Sequence, residues 1–153
     1  MIKVNLLKSY FDAMAPRVLA TKTILVRNET ELAQKIKDFA NGELFLVVVI
    51  PSSDTTARNS DNILEKETII LYAIKKVSHK DQDDADVISD MIQTQECITA
   101  VKDALLEDAG DCDALMHEQL SRLDFNSMHT DPEYNYLGCD GYSLSFVITS
   151  PGF

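Results

Sequence analysis

Residues 84–108 run without a single proline or glycine, and no other stretch constrains the fold as tightly. Val87, Met91, Thr94, Ile98, Val101 and Leu105 recur in steps of four and three, the spacing that lines one side of an α-helix. Ile88, Ile92 and Ala104 widen the stripe to what a helix lying on a sheet buries. Asp83 and Asp84 stand where carboxylates complement the helix dipole. Gly110 follows at a place suited to a left-handed cap. Two strand candidates precede the helix, at 44–50 and 67–77, and two follow it, at 123–130 and 141–149. The expected class is α+β: an antiparallel sheet of about four strands with helices packed on it, in a single domain over residues 1–153.

Charge divides the chain. The net charge is −11, but residues 1–80 hold 12 Lys/Arg against 9 Asp/Glu, and residues 81–153 hold 2 against 16. Between Asp81 and Asp113 there are 11 acids and one base, Lys102. Such a surface repels nucleic acid, so none is expected as a partner. The plainer reading of the acidic run is a solvated helix face. The sharper one is a basic half of one copy meeting the acidic half of the next, as a head-to-tail ring requires.

Other features narrow the classes. No apolar run reaches the ~18 residues of a membrane span, so no membrane partner is expected. The N-terminal stretch, interrupted by Asp12, reads as a short helix rather than a secretory signal, which points to the cytoplasm. Cys97, Cys112 and Cys139 are odd in number and far apart, as reduced thiols are.

Along the chain, residues 2–14 read as a helix with Val4, Leu7, Phe11 and Met14 on one side, ended by Pro16. Residues 20–26 suit a short strand or extended linker. Asn28 caps a second helix, with Glu31 as its capping-box partner and Leu32, Ile36 and Phe39 inward; Asn41 and Gly42 stop it. The strands at 44–50 and 67–77 are apolar on both faces. Between them, residues 51–66 are polar, and a connection of this length predicts a hairpin with a long, mobile tip. Asp54, Arg58, Asn59, Asp61 and Asn62 are its candidate assembly residues. Residues 111–123 suggest a short helix through Leu115, Leu120 and Leu123. Asp131 and Pro132 open a loop carrying Tyr134, Tyr136, Gly138 and Gly141. In the last strand Tyr142, Leu144, Phe146 and Ile148 alternate with Ser143, Ser145, Val147 and Thr149, giving one buried and one largely polar face.

No catalytic signature stands out. Asp81, Asp83, Asp84 and Asp86 alternate like a calcium loop but lack its glycine and its closing glutamate. Cys112 and His117 have no second pair of ligands at zinc spacing. His79, His117 and His129 sit near no nucleophile elbow, and the five glycines form no phosphate loop. Tyr134 and Tyr136 lack the basic flank that base stacking requires. The expectation is therefore no catalytic residue, no metal and no cofactor.

Two strands apolar on both faces must be covered twice. The long helix and the helix after Asn28 are expected on one face, with the N-terminal helix or a second subunit on the other.

The element order is helix, hairpin with a long tip, long acidic helix, short helix and closing hairpin. With the ending at 136–151 (YLGCDGYSLSFVITSP), it resembles the phage and prophage tail terminators and related head–tail joining proteins. That resemblance implies a non-enzymatic α+β subunit that assembles as a ring, often hexameric, on the tail tube. It implies itself and other tail or head–tail proteins as partners, in the cytoplasm or the virion, with the 52–65 tip directed to the lumen or the tube. The alternative expectation is a small-molecule or peptide-binding module with a pocket lined by Tyr72, Tyr142, Phe146 and Met91.

Overall fold

The computed structural model describes Met1 to Pro151. Its elements are α1 (Val4–Met14), a 3-10 turn (Ala15–Val18), β1 (Lys22–Val26), α2 (Glu29–Ile36), β2 (Leu44–Ala57), β3 (Ile63–Lys76), α3 (Asp84–Gly110), the single turn α4 (His117–Leu120), β4 (Leu123–Tyr136) and β5 (Cys139–Pro151). The class is α+β as expected. The sheet has five strands in the order β1-β2-β3-β5-β4. All neighbours are antiparallel except β1 and β2. The fifth strand is β1, which the sequence left between strand and linker.

That parallel pair decides which face each helix takes. A β1-α2-β2 crossover sets α2 on one face of the sheet, over Ile24, Val26, Phe45 and Val47, against which Leu32 and Ile36 pack. The other face carries both α1 and α3. Leu7, Phe11 and Met14 of α1 and Ile98, Val101 and Leu105 of α3 close over Leu46, Val48, Ile69, Leu71, Leu144 and Phe146. This corrects the expected arrangement of α3 with α2 and α1 opposite. It also removes the need for a subunit on the second face. Beyond the cover of α2, β5 shows Ser143, Ser145, Val147 and Thr149 there, half-buried and mostly polar.

Helix ends follow local chemistry. Asp83 caps α3 by accepting from the Asp86 N–H (2.8 Å), and Asp86 returns the bond to the Asp83 N–H. Asn28 caps α2. The reciprocal bond of Glu31 goes to the Arg27 N–H rather than to Asn28. Gly110 does not turn left-handed; it closes the helix, and Asp111 leaves it extended. Pro16 starts the 3-10 turn instead of only ending α1. The stretch at 111–123 forms one helical turn, with Leu115 exposed and Met116 buried.

Two expected loops are strand. Residues 51–57 and 63–66 continue β2 and β3 as a ladder, interrupted by an irregularity between Val49 and Ser52 where Pro51 sits. Only 58–62 turn the hairpin. Residues 131–136 likewise extend β4, and the chain returns through left-handed Asn135, Leu137 and Gly138.

Candidate functional site

The five candidate tip residues separate in the structure. Asp54 lies in β2 opposite Lys66 of β3. Arg58, Asn59, Asp61 and Asn62 form the turn. There the Asn62 N–H donates to the Asn59 carbonyl (3.2 Å) and the Asp61 N–H to Asn59 Oδ1 (3.2 Å). The tip is thus a tight, hydrogen-bonded turn on a three-stranded ladder, because β5 accompanies β3 as far as Leu64 opposite Pro151.

The residues weighed for chemistry are dispersed over the structure. His79 Nε2 lies 3.0 and 3.2 Å from the two oxygens of buried Asp140, which also accepts from the Asn135 N–H at 2.7 Å. This contact ties the linker before α3 to the β4–β5 turn. His129 pairs with Asp131 on the exposed surface of β4, and His117 stands apart on α4. Burial pushes the Cys97 thiol up to about 12 and the Cys139 thiol up to about 11, so neither is a ready nucleophile near neutral pH. Asp81 accepts from the Ser78 hydroxyl, and Asp83 and Asp86 are spent on the cap. Among the described residues, no group of three His, Cys, Asp or Glu is placed to hold a metal ion. Among them, too, no helix is long and apolar enough to cross a membrane.

The aromatic residues proposed for a ligand pocket do not meet. Tyr142 and Phe146 belong to the α3 side. Tyr72 points to the α2 side, stacked on Tyr136 with ring centroids 4.9 Å apart.

Several polar groups that periodicity could not single out hold the layers together. The Tyr10 hydroxyl and the Arg17 guanidinium both donate to Asp108, at 2.7 Å and 2.9–3.1 Å, joining α1 and the 3-10 turn to the end of α3. Buried Lys75 donates from β3 to Asp90 (2.6 Å) and Gln93 (2.9 Å) of α3. Glu67 accepts from the Ile2 N–H, and Glu65 meets the Met1 ammonium. Glu31, which faces the Arg27 guanidinium, the Arg27 N–H and Lys35, is held down to about 2.

Both sheet edges are blunted. β1 has only five residues, and Lys35 donates to the Leu25 carbonyl at 2.8 Å. β4 carries Pro132 and two register shifts against β5. Short strands, lysines, prolines and bulges are the means by which edges avoid adding further strands.

Exposed apolar residues lie on edge strand β4, at Phe125 and Tyr134, and on α3. On α3 they are Ile88 (59% exposed), Ile92 (48%) and Leu106 (46%). Steps of four and fourteen place all three within an arc of about 40°. That arc is opposite the inward stripe of Thr94, Cys97, Ile98, Val101, Ala104 and Leu105. Exposed Thr99 stands on the same line and parts Leu106 from the two isoleucines, so the continuous apolar patch is Ile88 with Ile92. The sequence reading placed both in the buried stripe; they belong to the outer one. At the end of the 3-10 turn, Leu19 is 79% exposed in a left-handed conformation.

No protein-family model matches this chain, and no curated protein matches it.

Proposed function

We propose that this protein is a non-enzymatic structural subunit that assembles with copies of itself, in the manner of the phage tail terminators and head–tail joining proteins its element order resembles. The observation that carries the reading is the placement of charge. Residues 1–27, which form α1, the 3-10 turn and β1, hold Lys3, Lys8, Arg17, Lys22 and Arg27 against Asp12 alone. The α3 region holds the acids. Arg17 already bridges the two within one molecule, through Asp108 and Glu107. Copies stacked head to tail would repeat that contact between molecules. The β2–β3 turn, with Arg58, Asn59, Asp61 and Asn62, would then meet the tube or its neighbours.

Light scattering after size exclusion tests the reading. The expected mass is a multiple of 17.1 kDa that grows with loading concentration. A strict monomer at high concentration, from low to physiological salt, overturns it. Capsid, portal and tail-tube genes beside the gene for this chain would support the tail assignment specifically.

A further inference from the structure

The short β1 that blunts one side of the sheet leaves a longer edge open beyond it. β1 pairs with β2 only from Phe45 to Val49, whereas β3 accompanies β2 as far as Ala57. Past the irregularity at Pro51, the outer half of β2 is therefore an edge strand in its own right. Ser52 and Asp54 to Ala57 are exposed there, and Ser53 is half-buried. In an antiparallel ladder, a residue turns both of its backbone groups to one side, and the next residue turns them to the other. The Arg58 N–H donates to the Asn62 carbonyl, which makes Thr56 with Leu64, Asp54 with Lys66 and Ser52 with Thr68 the hydrogen-bonded pairs of β2 and β3. Ser53, Thr55 and Ala57 consequently present their N–H and C=O groups away from β3, with no strand of the described residues beside them. An edge of this kind is a template for one more strand.

The sequence of that edge fits itself. Let two copies of 52–57 run antiparallel with Thr55 on the two-fold axis: Thr55 then faces Thr55, Ser53 faces Ala57 and Asp54 faces Thr56. Every outward residue finds an outward residue opposite, and each such pair exchanges two main-chain hydrogen bonds. Thr with Thr is a favourable cross-strand pair, and Asp54 lies diagonally from Arg58 of the other copy, within reach of that long side chain. Slipping the register by two residues one way sets Asp54 against Asp54, a like-charge pair. Slipping it the other way leaves one hydrogen-bonded pair fewer. Pro51, without an N–H, bounds the ladder at one end, and the turn at 58–62 bounds it at the other. In this register Val26 of one copy, which pairs with Val49, stops roughly 10 Å along the strand from Arg58 of the other. That gap leaves room for the turn.

We infer that two copies join edge to edge through the outer half of β2, making one continuous sheet across a two-fold axis at Thr55. The contact closes after two copies. It is thus a different joint from the head-to-tail one proposed above and does not rest on it. A strand from another protein would meet the same backbone groups. The match of Thr55 with Thr55 and of Asp54 with Arg58 is what favours a second copy.

Amide hydrogen exchange at low and high protein concentration, alongside sedimentation velocity, tests the joint. In the monomer β3 protects the amides of Asp54 and Thr56, while those of Ser53, Thr55 and Ala57 are open. At high concentration all five should be protected, and the smallest assembled species should be a dimer. Thr55→Pro removes an outward N–H and breaks no bond to β3. It should weaken dimerisation by about 30-fold or more. Thr55→Val, which keeps the backbone and the branched side chain, should dimerise within a few-fold of the wild type. Native circular dichroism and retained protection at Asp54 and Thr56 show that each variant folds. If the protein assembles while Ser53, Thr55 and Ala57 stay open, or if Thr55→Pro assembles as well as the wild type, the edge joint falls and the structural-subunit reading stands. If the wild type stops at a dimer that Thr55→Pro abolishes, the joint stands and the head-to-tail reading falls. A wild type that is monomeric at every concentration overturns both.

Discussion

Gly141 has no room for a side chain. It lies in β5 opposite Ile74 of β3, and a Cβ built on it would stand 2.0 Å from the Ala73 carbonyl oxygen. Gly141→Ala must therefore push two central strands apart, and a loss of roughly 3 kcal/mol is expected in urea unfolding. A loss within ~0.5 kcal/mol, the range of ordinary surface changes, would show that the strands give way freely. In the sequence this glycine has the look of a turn residue, because the neighbour that forbids a side chain comes from a distant strand. Asp108 is hidden in the same way: within a run of acids it looks like any other. Burial raises its pKa, but the Arg17 and Tyr10 donors together outweigh burial and hold it below the ordinary carboxylate value. Its contribution is therefore complete above the unfolded carboxylate pKa of about 3.9. It fades as the pH falls through the lower folded value. Asp108→Asn, which keeps an acceptor for Tyr10, should cost about 1–2 kcal/mol at neutral pH, limited by the partial exposure of Arg17. The two proteins should then converge in stability in acid. A gap that persists unchanged to about pH 2 would contradict the linkage.

At the scale of elements, legibility followed burial. α3 was plain because its inward residues keep the helical period, and its capping acids sit where the dipole favours them. Its inward stripe was read on the correct side at Thr94, Ile98, Val101 and Leu105, and only its widening by Ile88 and Ile92 was wrong, since with Leu106 they form an outer stripe. Periodicity alone does not say how wide the buried stripe is. The first half of β2 was readable from an apolar run covered on both sides. The second half, Ser52 to Ala57, is open to solvent on much of both sides and so loses the alternation that marks a strand. The first half of β4 was found as the strand at 123–130, but its second half, 131–136, is obscure for the same reason: it lies on an edge strand, and Tyr134 points to solvent. The face taken by α2 depends on β1 pairing parallel to β2, a long-range fact without a local residue signal. Of the candidate tip residues, grouped as polar members of one long connection, Arg58, Asn59, Asp61 and Asn62 share the turn. Asp54 was drawn in only because the strand around it could not be seen.

For the whole molecule, two electrostatic effects act at different ranges, and their competition can be measured. Each copy carries −11, so two approaching copies repel over a distance set by the Debye length, about 30 Å at 0.01 M salt and about 8 Å at 0.15 M. Contacts between the acidic α3 side of one copy and the basic α1–β1 side of the next would act over a few ångströms and survive until that length falls to about 3 Å near 1 M. Any apolar surface buried between copies would not be weakened by salt. Self-association should therefore strengthen from about 0.01 M to about 0.15 M sodium chloride as the long-range repulsion is screened. It should then weaken towards about 1 M as those charge contacts lose their share. Sedimentation at fixed protein concentration across that series reads the curve directly. A steady rise to the highest salt would assign adhesion to contacts that salt does not weaken and leave the segregated charges without a part in it. A steady fall would mean that local attraction between the acidic α3 side and the basic α1–β1 side dominates at every range, in spite of the net charge. Only a maximum at intermediate salt fits a subunit whose overall charge keeps copies apart and whose charge pattern joins them once aligned.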